Sequence, residues 1–364
     1  MKFNYEWNIS DKYPASGIEK HGSTVFSCFS CGGGSSMGYK LAGYDVIGNN
    51  EIDPKMMKIY RENHKPEFSY LEPIQTFKLR KDLPDKLYNL DILDGSPPCS
   101  SFSMAGNREK DWGKEKKFRE GQSEQILDRL FFDFLDLAEL LKPKAIVAEN
   151  VKGMLLGDAK AYVNEILIRF EQIGYFVDYK LLDASKMGVP QKRERVFFTA
   201  IREDIYKGGF TDLFGRQPLL DLHFTENEIK FKNVRDSKNY ENKLSDFYTE
   251  LWSQREDSDK DFSCINGRVR NKPNTGFGCT FVKSENVCGT LTSHKDCYCD
   301  FEEGRYLSEL EWKRIGSFPK DYNFLDNQPQ YVIGMSVPPV MMAQVSHRIY
   351  TEWLKPIHEW EGRL

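Results

Sequence analysis

Over its first two hundred residues the chain repeats a short apolar run of strand length followed by a turn with small residues and an amphipathic stretch. The strand candidates are "TVFSCFS" (24–30), "YDVIGNNE" (44–51), "LDILDGS" (90–96), "AIVAEN" (145–150), "YFVDYKLLDA" (175–184) and "RVFFTAI" (195–201). Between the third and fourth lies "SEQILDRLFFDFLDLAELLKP". Its Ile126, Leu130, Phe131, Phe134, Leu137, Ala138 and Leu141 recur at helical spacing, with Pro143 just past the stop. Strands alternating with helices predict an α/β fold with a doubly wound, mostly parallel sheet. From about 203 to 300 the rhythm breaks into polar, irregular sequence that keeps its Phe, Tyr, Trp, Val and Leu. This predicts a globular insertion rich in loops, with some β-strand, rather than disorder. Helical patterns return in "LSELEWKRIGSF" and "PPVMMAQVSHRIYTEWL".

Composition adds bounds to this picture. At 364 residues the chain can hold a large core and two domains, and with 40% apolar and 29% charged residues it has the composition of a soluble globular protein without a bilayer-spanning run. The start, "MKFNYEWNISDKYPASG", has no basic stretch followed by an apolar one, so the expectation is a cytoplasmic protein. The eight cysteines, at 28, 31, 99, 264, 279, 288, 297 and 299, are too sparse for a secreted disulfide scaffold. A net charge of −4 gives no overall hint of a nucleic-acid partner, so any such contact must come from local patches.

Four stretches carry candidate chemistry. In "VFSCFSCGGGSSMGYKLAGYDVIGNNEID" a strand runs into a glycine cluster and a helix, and Glu51 ends the next strand. This suits an adenosine cofactor, with glycines admitting close backbone approach and a carboxylate accepting from ribose hydroxyls; a tight turn that binds nothing is the alternative. A dinucleotide is disfavoured because the pattern is not G-x-G-x-x-G. In "DILDGSPPCSSFS" a thiol, Cys99, follows a proline-stiffened turn and is a candidate nucleophile; a buried cysteine is the bland reading. In "AIVAENV", Glu149 ends the next strand, and the carboxyl ends of parallel strands share one crevice, which would gather Cys99, Glu149 and the glycine cluster. In "GVPQKRERVFF", Gln191, Arg193 and Arg195 alternate onto one face, with Lys192 and Glu194 on the other; a solvated edge is the alternative to a binding face. A structural zinc site wants four ligands with compatible spacing, and of the pairs Cys28-x-x-Cys31 and Cys297-x-Cys299 the first lies in the strand and turn of the candidate cofactor site, so no metal is expected.

In this order the motifs resemble those of the DNA (cytosine-5) methyltransferases of the bacterial or phage restriction-modification type, over nearly the whole chain. "FSCFSCGGGSSMG" is similar to the cofactor motif, "GSPPCSSFS" to the nucleophile motif, "ENV" to the acidic motif and "QKRER" to the arginine motif. "RYLSELEWKRIGSFPKDY" and "YVIGMSVPP" are similar to the two closing segments. The resemblance implies a catalytic and cofactor-binding domain over 1–202. A small domain over 203–327 would hold the target-recognition segment (about 203–300), and 328–364 would return to the catalytic domain. It implies methyl transfer from S-adenosyl-L-methionine to carbon 5 of a flipped-out cytosine in double-stranded DNA through a covalent adduct of Cys99. Glu149 would act on ring nitrogen 3, Arg193 on the carbonyl side and Arg195 on the surrounding network.

For the cofactor the resemblance implies Phe29 near adenine, Ser30, Cys31, Gly32, Gly33 and Gly34 along the methionine end, and Glu51 with Ile52 at the ribose. Pro98, Leu130, Ser336 and Val337 would complete the pocket. For DNA it implies Ser100, Ser103, Gln191, Arg268, Arg270, Lys272, Thr290 and Thr292, with Lys283 and Lys295 adding to a local basic surface. The chain departs from the family pattern at Cys31, where glycine is usual, at Ser27, near which an acid is usual, and at Met335, where asparagine is usual; the adenine-edge pair is replaced by Glu72 or Ile74. The expected partners are duplex DNA and, with no stable complex implied, a cognate restriction endonuclease; the chain is expected to be a monomer with no membrane contact. The rivals are a transfer-RNA cytosine-5 methyltransferase, whose usual "C-Q-P-F-T" is not matched by "CSSFS", and a catalytically silent DNA-binding module, against which Cys99, Glu149 and Arg193 argue.

Overall fold

The computed structural model describes residues 3–98, 115–116, 125–126, 129–157, 159–209, 219–237, 242–273, 278–294 and 297–362. Seven strands form the main sheet: β1 (Thr24–Cys28), β2 (Asp45–Glu51), β3 (Phe68–Leu71), β4 (Ile92–Gly95), β5 (Ala145–Val151), β6 (Tyr175–Asp183) and β7 (Glu194–Arg202). Their order is β3-β2-β1-β4-β5-β7-β6. The first five run parallel, and β7 lies antiparallel to both β5 and β6. The predicted doubly wound sheet is therefore present, with β3 added. "FSYL" is four residues long at the sheet edge and is not fully buried, so it has no continuous apolar run to betray it.

Alternate side chains of the central strands feed two cores. Phe26, Leu93, Ile146, Ala148, Val196 and Phe198 pack with α3 (Leu130–Leu141) and α4 (Ala159–Gln172). Val25, Ile92, Val147 and Phe197 pack with α1 (Gly34–Leu41) and with the C-terminal helix Pro339–Ile349. This period of two, with both faces covered, is why these runs read as nearly all apolar. Helix α3 starts at Leu130, whereas Ile126 falls in a two-residue strand before it.

The irregular region contains more helix than its sequence predicts. Helices α5 (Asp246–Ser253) and α6 (Phe262–Arg270) flank β8 (Thr280–Val282), β9 (Tyr298–Asp300) and β10 (Arg305–Tyr306), around a small core of Leu244, Leu251, Phe262, Ile265, Phe281, Cys299 and Phe301. Both helices carry side-chain N-caps, Ser245 and Asp261, but they are only eight and nine residues long, too short for periodicity alone to reveal them. A third cluster joins this region to the helices that follow β1 and β2. Met37 of α1 and Met56 and Ile59 of α2 (Pro54–His64) pack with Phe231, Leu291, Trp312, Ile315, Val332 and Ile333.

Helix α7 (Glu309–Ile315), α8 (Pro329–Met335) and α9 (Pro339–Ile349) close the chain, α9 continuing through a π-helical stretch, Tyr350–Leu354, into Lys355–Trp360. The tail returns to the large core because α9 lies against α1 at Gly38, where a methyl group would meet Met342 Cβ at 2.5 Å and the Pro339 carbonyl at 2.6 Å. Backbone at that distance cannot step aside without separating the helices. Gly38→Ala is therefore expected to lose about 1–3 kcal/mol of unfolding free energy despite its better helix propensity. A urea midpoint equal to or above that of the unaltered chain would remove this account. Among the described residues no helix is long and apolar enough to cross a membrane.

Candidate active site

The turn after β1 is an unusual piece of backbone. Phe29 and Cys31 both have positive φ, 52° and 45°, and Gly33 has φ 80° at the N-cap of α1. Non-glycine residues hold this conformation at a cost, so neighbours must impose it. The Cys31 N–H donates to Glu51 Oε2 (2.7 Å), the Gly33 N–H to the Ser30 carbonyl (2.7 Å), and the Asn49 amide to Ser30 Oγ (2.9 Å). Glu51, at the end of β2, also accepts from the N–H groups of Ile52 and Asp53, both at 2.9 Å on Oε1. Burial raises its pKa, and these three backbone donors oppose that shift.

Each glycine of the cluster faces a different neighbour. A methyl group would meet Val332 Cγ1 at 2.2 Å from Gly32, the His64 ring at 2.1 Å from Gly33, and the Val337 carbonyl at 2.2 Å from Gly34. The glycines are thus demanded by close packing of α2 and the tail against the turn. The ingredients of an adenosine site still fit here. Glu51 Oε2 accepts one bond from a backbone N–H and keeps lone-pair capacity, while Phe29 and Ile52 are half-buried. Leu130 opens α3 as a buried residue, and Ser336 and Val337 lie buried against the turn. Burial and the Glu51 charge push the Cys31 thiol up to about 12, so it stays neutral where the family pattern has glycine.

The loop after β4 reaches Pro98, and Cys99, Ser100 and Ser103 lie outside the described residues. Its approach is held from the neighbouring strand: Asn150 of β5 donates its side-chain amide to the Pro97 carbonyl (3.0 Å), while its own Oδ1 accepts from the Val151 N–H (2.9 Å). Asn150 was absent from the predicted site, although it sits inside the "ENV" motif. Beside it, Glu149 is buried and pairs with Arg195, Nε to Oε1 at 3.0 Å. Arg195 stands at the start of antiparallel β7, opposite Val151. Burial lowers the Arg195 pKa, and the Glu149 carboxylate counters it.

The alternation in "QKRER" is present, with Gln191 and Arg193 buried and Lys192 and Glu194 exposed. Two expected roles change as a result. Gln191 is 1% exposed; its amide donates to the Ile315 carbonyl (3.2 Å) and accepts from the Leu291 N–H (2.9 Å), an internal brace where a DNA contact was expected. Arg193, 3% exposed, donates to the carbonyls of Leu291 (3.1 Å) and Gly334 (2.9 Å), leaving Nε without a partner. Burial, with Arg195 nearby, lowers it to about 9. Both Nη atoms thus serve to tie α8 and the segment before β9 to the sheet, and Arg195 is the guanidinium that meets Glu149.

Of the other expected DNA contacts, Arg268 is spent inside its own unit, bonded to Asp259 (3.0 Å), Glu256 (3.1 Å) and the Gln254 carbonyl (2.6 Å). The reason is local: its helix begins at Asp261, and acidic side chains just before it face its last turn. Arg270 pairs with Glu250 (3.2 Å) and lies 4.6 Å from the Phe247 ring centroid. Lys272, Thr290 and Thr292 are exposed, and Thr290 Oγ1 donates to the Lys192 carbonyl (2.6 Å). Lys283 donates to the Asp257 carbonyl, and Lys295 lies outside the described residues. Among the described residues no group of three or more His, Cys, Asp or Glu side chains is placed to hold a metal.

Asp94 was missed altogether. It is 1% exposed, pairs in register with Ser27 across β1 and β4, and accepts from Ser27 Oγ (2.6 Å) and Tyr39 OH (3.3 Å). The carboxyl group absent at Ser27 is thus supplied one strand over. Burial, aided by the Glu149 charge, raises Asp94 from 3.8 to about 7. In the unfolded chain this carboxyl ionises near 3.8, so between there and about pH 7 unfolding releases a proton and stability falls as pH rises. Asp94→Asn is expected to remove that part of the slope, gaining on the unaltered protein between pH 5 and pH 8 in urea unfolding. An identical stability difference at both pH values would show that Asp94 does not titrate in this window.

Residues 23–351 match the family model described as C-5 cytosine-specific DNA methylase. The chain is 27% identical over 341 residues to the Type II methyltransferase M1.HphI of Haemophilus parahaemolyticus, covering 90% of this chain and 86% of that protein. It is 34% identical over 186 residues to M.FnuDI of Fusobacterium nucleatum, covering 51% of this chain and 49% of that protein, and 33% identical over 197 residues to the orphan methyltransferase M.SPRI of Bacillus phage SPR, covering 53% and 41%. With the last two the chain therefore aligns over about half of the relative's length or less. Among solved structures, a mutant of Spodoptera frugiperda DNMT2 superposes with a TM-score of 0.61 at 17% identity, covering 92% of this chain and 99% of that one. Dnmt2 of S. pombe gives 0.56 at 15%, covering 90% and 98%. At such identities the likeness is one of fold. The glycine turn, the braced proline loop and the Glu149–Arg195 pair all fall inside the matched span, and the chain belongs to the C-5 cytosine-specific DNA methylase family.

Proposed function

We propose that the chain methylates carbon 5 of a cytosine flipped out of a specific duplex DNA sequence, through a transient bond to Cys99. The observation that carries this reading is the convergence at the carboxyl ends of β1, β4 and β5. The strained cofactor turn, the proline loop held by Asn150 and the buried Glu149–Arg195 pair end there together. S-adenosyl-L-methionine, held by Glu51, Phe29, Ile52, Leu130, Ser336 and Val337, would supply an electrophilic methyl carbon. The Cys99 thiolate adds to carbon 6 of the ring while Glu149 donates a proton to nitrogen 3, and the electron pair moves to carbon 5. Carbon 5 would take the methyl group as the carbon–sulfur bond of the sulfonium breaks and S-adenosylhomocysteine leaves with that electron pair; a base then removes the carbon 5 proton, the carbon 6 to sulfur bond breaks, nitrogen 3 gives back its proton and the thiolate returns. Arg195 holds the Glu149 carboxyl in place. Flipping the base costs a few kcal/mol, to be offset by contacts in the cleft.

The target-recognition part lies within about 203–300, where the residues from Leu244 onward have their own small core, and exposed Lys272, Thr290 and Thr292 would face the phosphate backbone. Arg268 and Arg270 act there through the shape of α6 rather than by direct contact. Duplex DNA is the partner, and a cognate restriction endonuclease would act on the same sequence without binding this chain. The test is transfer of a tritiated methyl group to duplex DNA and, in parallel, to transfer RNA, followed by bisulfite sequencing of a treated plasmid. Label in DNA at one recurring cytosine context supports the reading, label in transfer RNA alone replaces it with the RNA activity, and label in neither refutes it.

A further inference from the structure

The peptide unit between Gly32 and Gly33 is held at both ends. Its N–H, from Gly33, donates to the Ser30 carbonyl (2.7 Å), and its carbonyl, from Gly32, accepts from Tyr322 OH and lies 3.4 Å from His64 Nε2. Rotation of that peptide would break both sets of bonds at once. The turn it belongs to contains two non-glycine residues at positive φ, a conformation that persists only where the surroundings over-determine it. His64 also fills the space a Gly33 side chain would need and stacks on Tyr60 with ring centroids 4.3 Å apart. Its Nδ1 is buried without a partner, which fits a neutral ring carrying its proton on Nε2, directed at the Gly32 carbonyl. Burial and the nearby Lys40 charge favour that neutral form.

We propose that Tyr322 and His64 are positioning residues that set the shape of the cofactor turn by gripping the Gly32 carbonyl. This rests on the methyltransferase reading. Tyr322 sits in the loop that follows α7, on the chain's way out of the target-recognition part, and Asn63 docks that loop onto α2. Its amide donates to the Asn323 carbonyl (2.8 Å) and accepts from the Asn323 N–H (2.9 Å). The turn is therefore shaped partly by a residue far along the chain. Neither residue enters the transfer step, so cofactor affinity should change and the rate at saturating cofactor should not.

The experiment is Tyr322→Phe in the full chain, with binding of S-adenosylhomocysteine measured by calorimetry and KM for S-adenosylmethionine separated from kcat. The expected result is affinity and KM weakened about tenfold with kcat within about twofold. Asn63→Ala, which loosens the loop without touching the turn, should shift affinity the same way and serves if Tyr322→Phe does not fold. A lowered melting temperature with unchanged affinity and KM in either variant overturns the proposal and leaves a merely structural role. If the unaltered chain fails to bind S-adenosylhomocysteine, the methyltransferase reading itself falls, which separates the two failures.

Discussion

Cys99→Ala is expected to lower turnover by about 10⁴-fold or more, the scale seen when a covalent nucleophile is removed, while cofactor binding stays intact. The direct readout is trapping. In a duplex whose target carries 5-fluorocytosine, carbon 5 has no proton for a base to remove, so the sulfur to carbon 6 bond cannot break after methyl transfer. The unaltered protein should give a denaturation-resistant complex with such DNA, and the variant none. The loop before Cys99 supports this role physically: Pro97 and Pro98 restrict the approach, and the Asn150 amide ties the Pro97 carbonyl to the strand that carries Glu149. A variant that still turns over, or a native protein never trapped, would end the covalent account.

The second large effect is expected at Glu149. Glu149→Gln keeps the size of the side chain and a donor for ring nitrogen 3 but cannot release a proton, so kcat should fall about 10²–10⁴-fold with DNA and cofactor affinities near normal. The same change leaves the largely buried Arg195 guanidinium, its side chain 14% exposed, without the carboxylate at 3.0 Å, so the single variant should also be less stable. Glu149→Gln with Arg195→Met removes both charges and should recover much of that stability while remaining inactive. Full activity in Glu149→Gln, or activity recovered along with stability in the double variant, would show that the pair is structural.

Six of the seven main strands were legible: Thr24–Cys28, Ile92–Gly95, Ala145–Val151 and Glu194–Arg202 as largely buried apolar runs, and the longer Asp45–Glu51 and edge strand Tyr175–Asp183 by apolar stretches within seven and nine residues. The edge strand Phe68–Leu71 was not, since it is only four residues long and half-buried. Helices α5 and α6 were missed because they are short. Each buries only a few side chains in a small core, and their caps say where a helix starts without saying that one forms. In the site, the motifs marked the turn, the proline loop and the acidic strand end, because each depends on residue types at short spacing. They could not say where a long side chain terminates. Arg268 is consumed by Asp259 and Glu256, and Gln191 and Arg193 turn inward to backbone carbonyls.

The order of residues thus specified the layered α/β frame, the family and the groups available for chemistry, because periodicity and short motifs are local properties of a chain. Only the folded arrangement decided which groups meet. Asp94 faces Ser27 through parallel register across 67 positions, and Tyr322 reaches the Gly32 carbonyl across 290. Those pairings depend on how strands align and how the tail packs back on α1. The energies that select them come from burial and from satisfying buried polar groups, and both belong to the whole molecule rather than to any stretch of it.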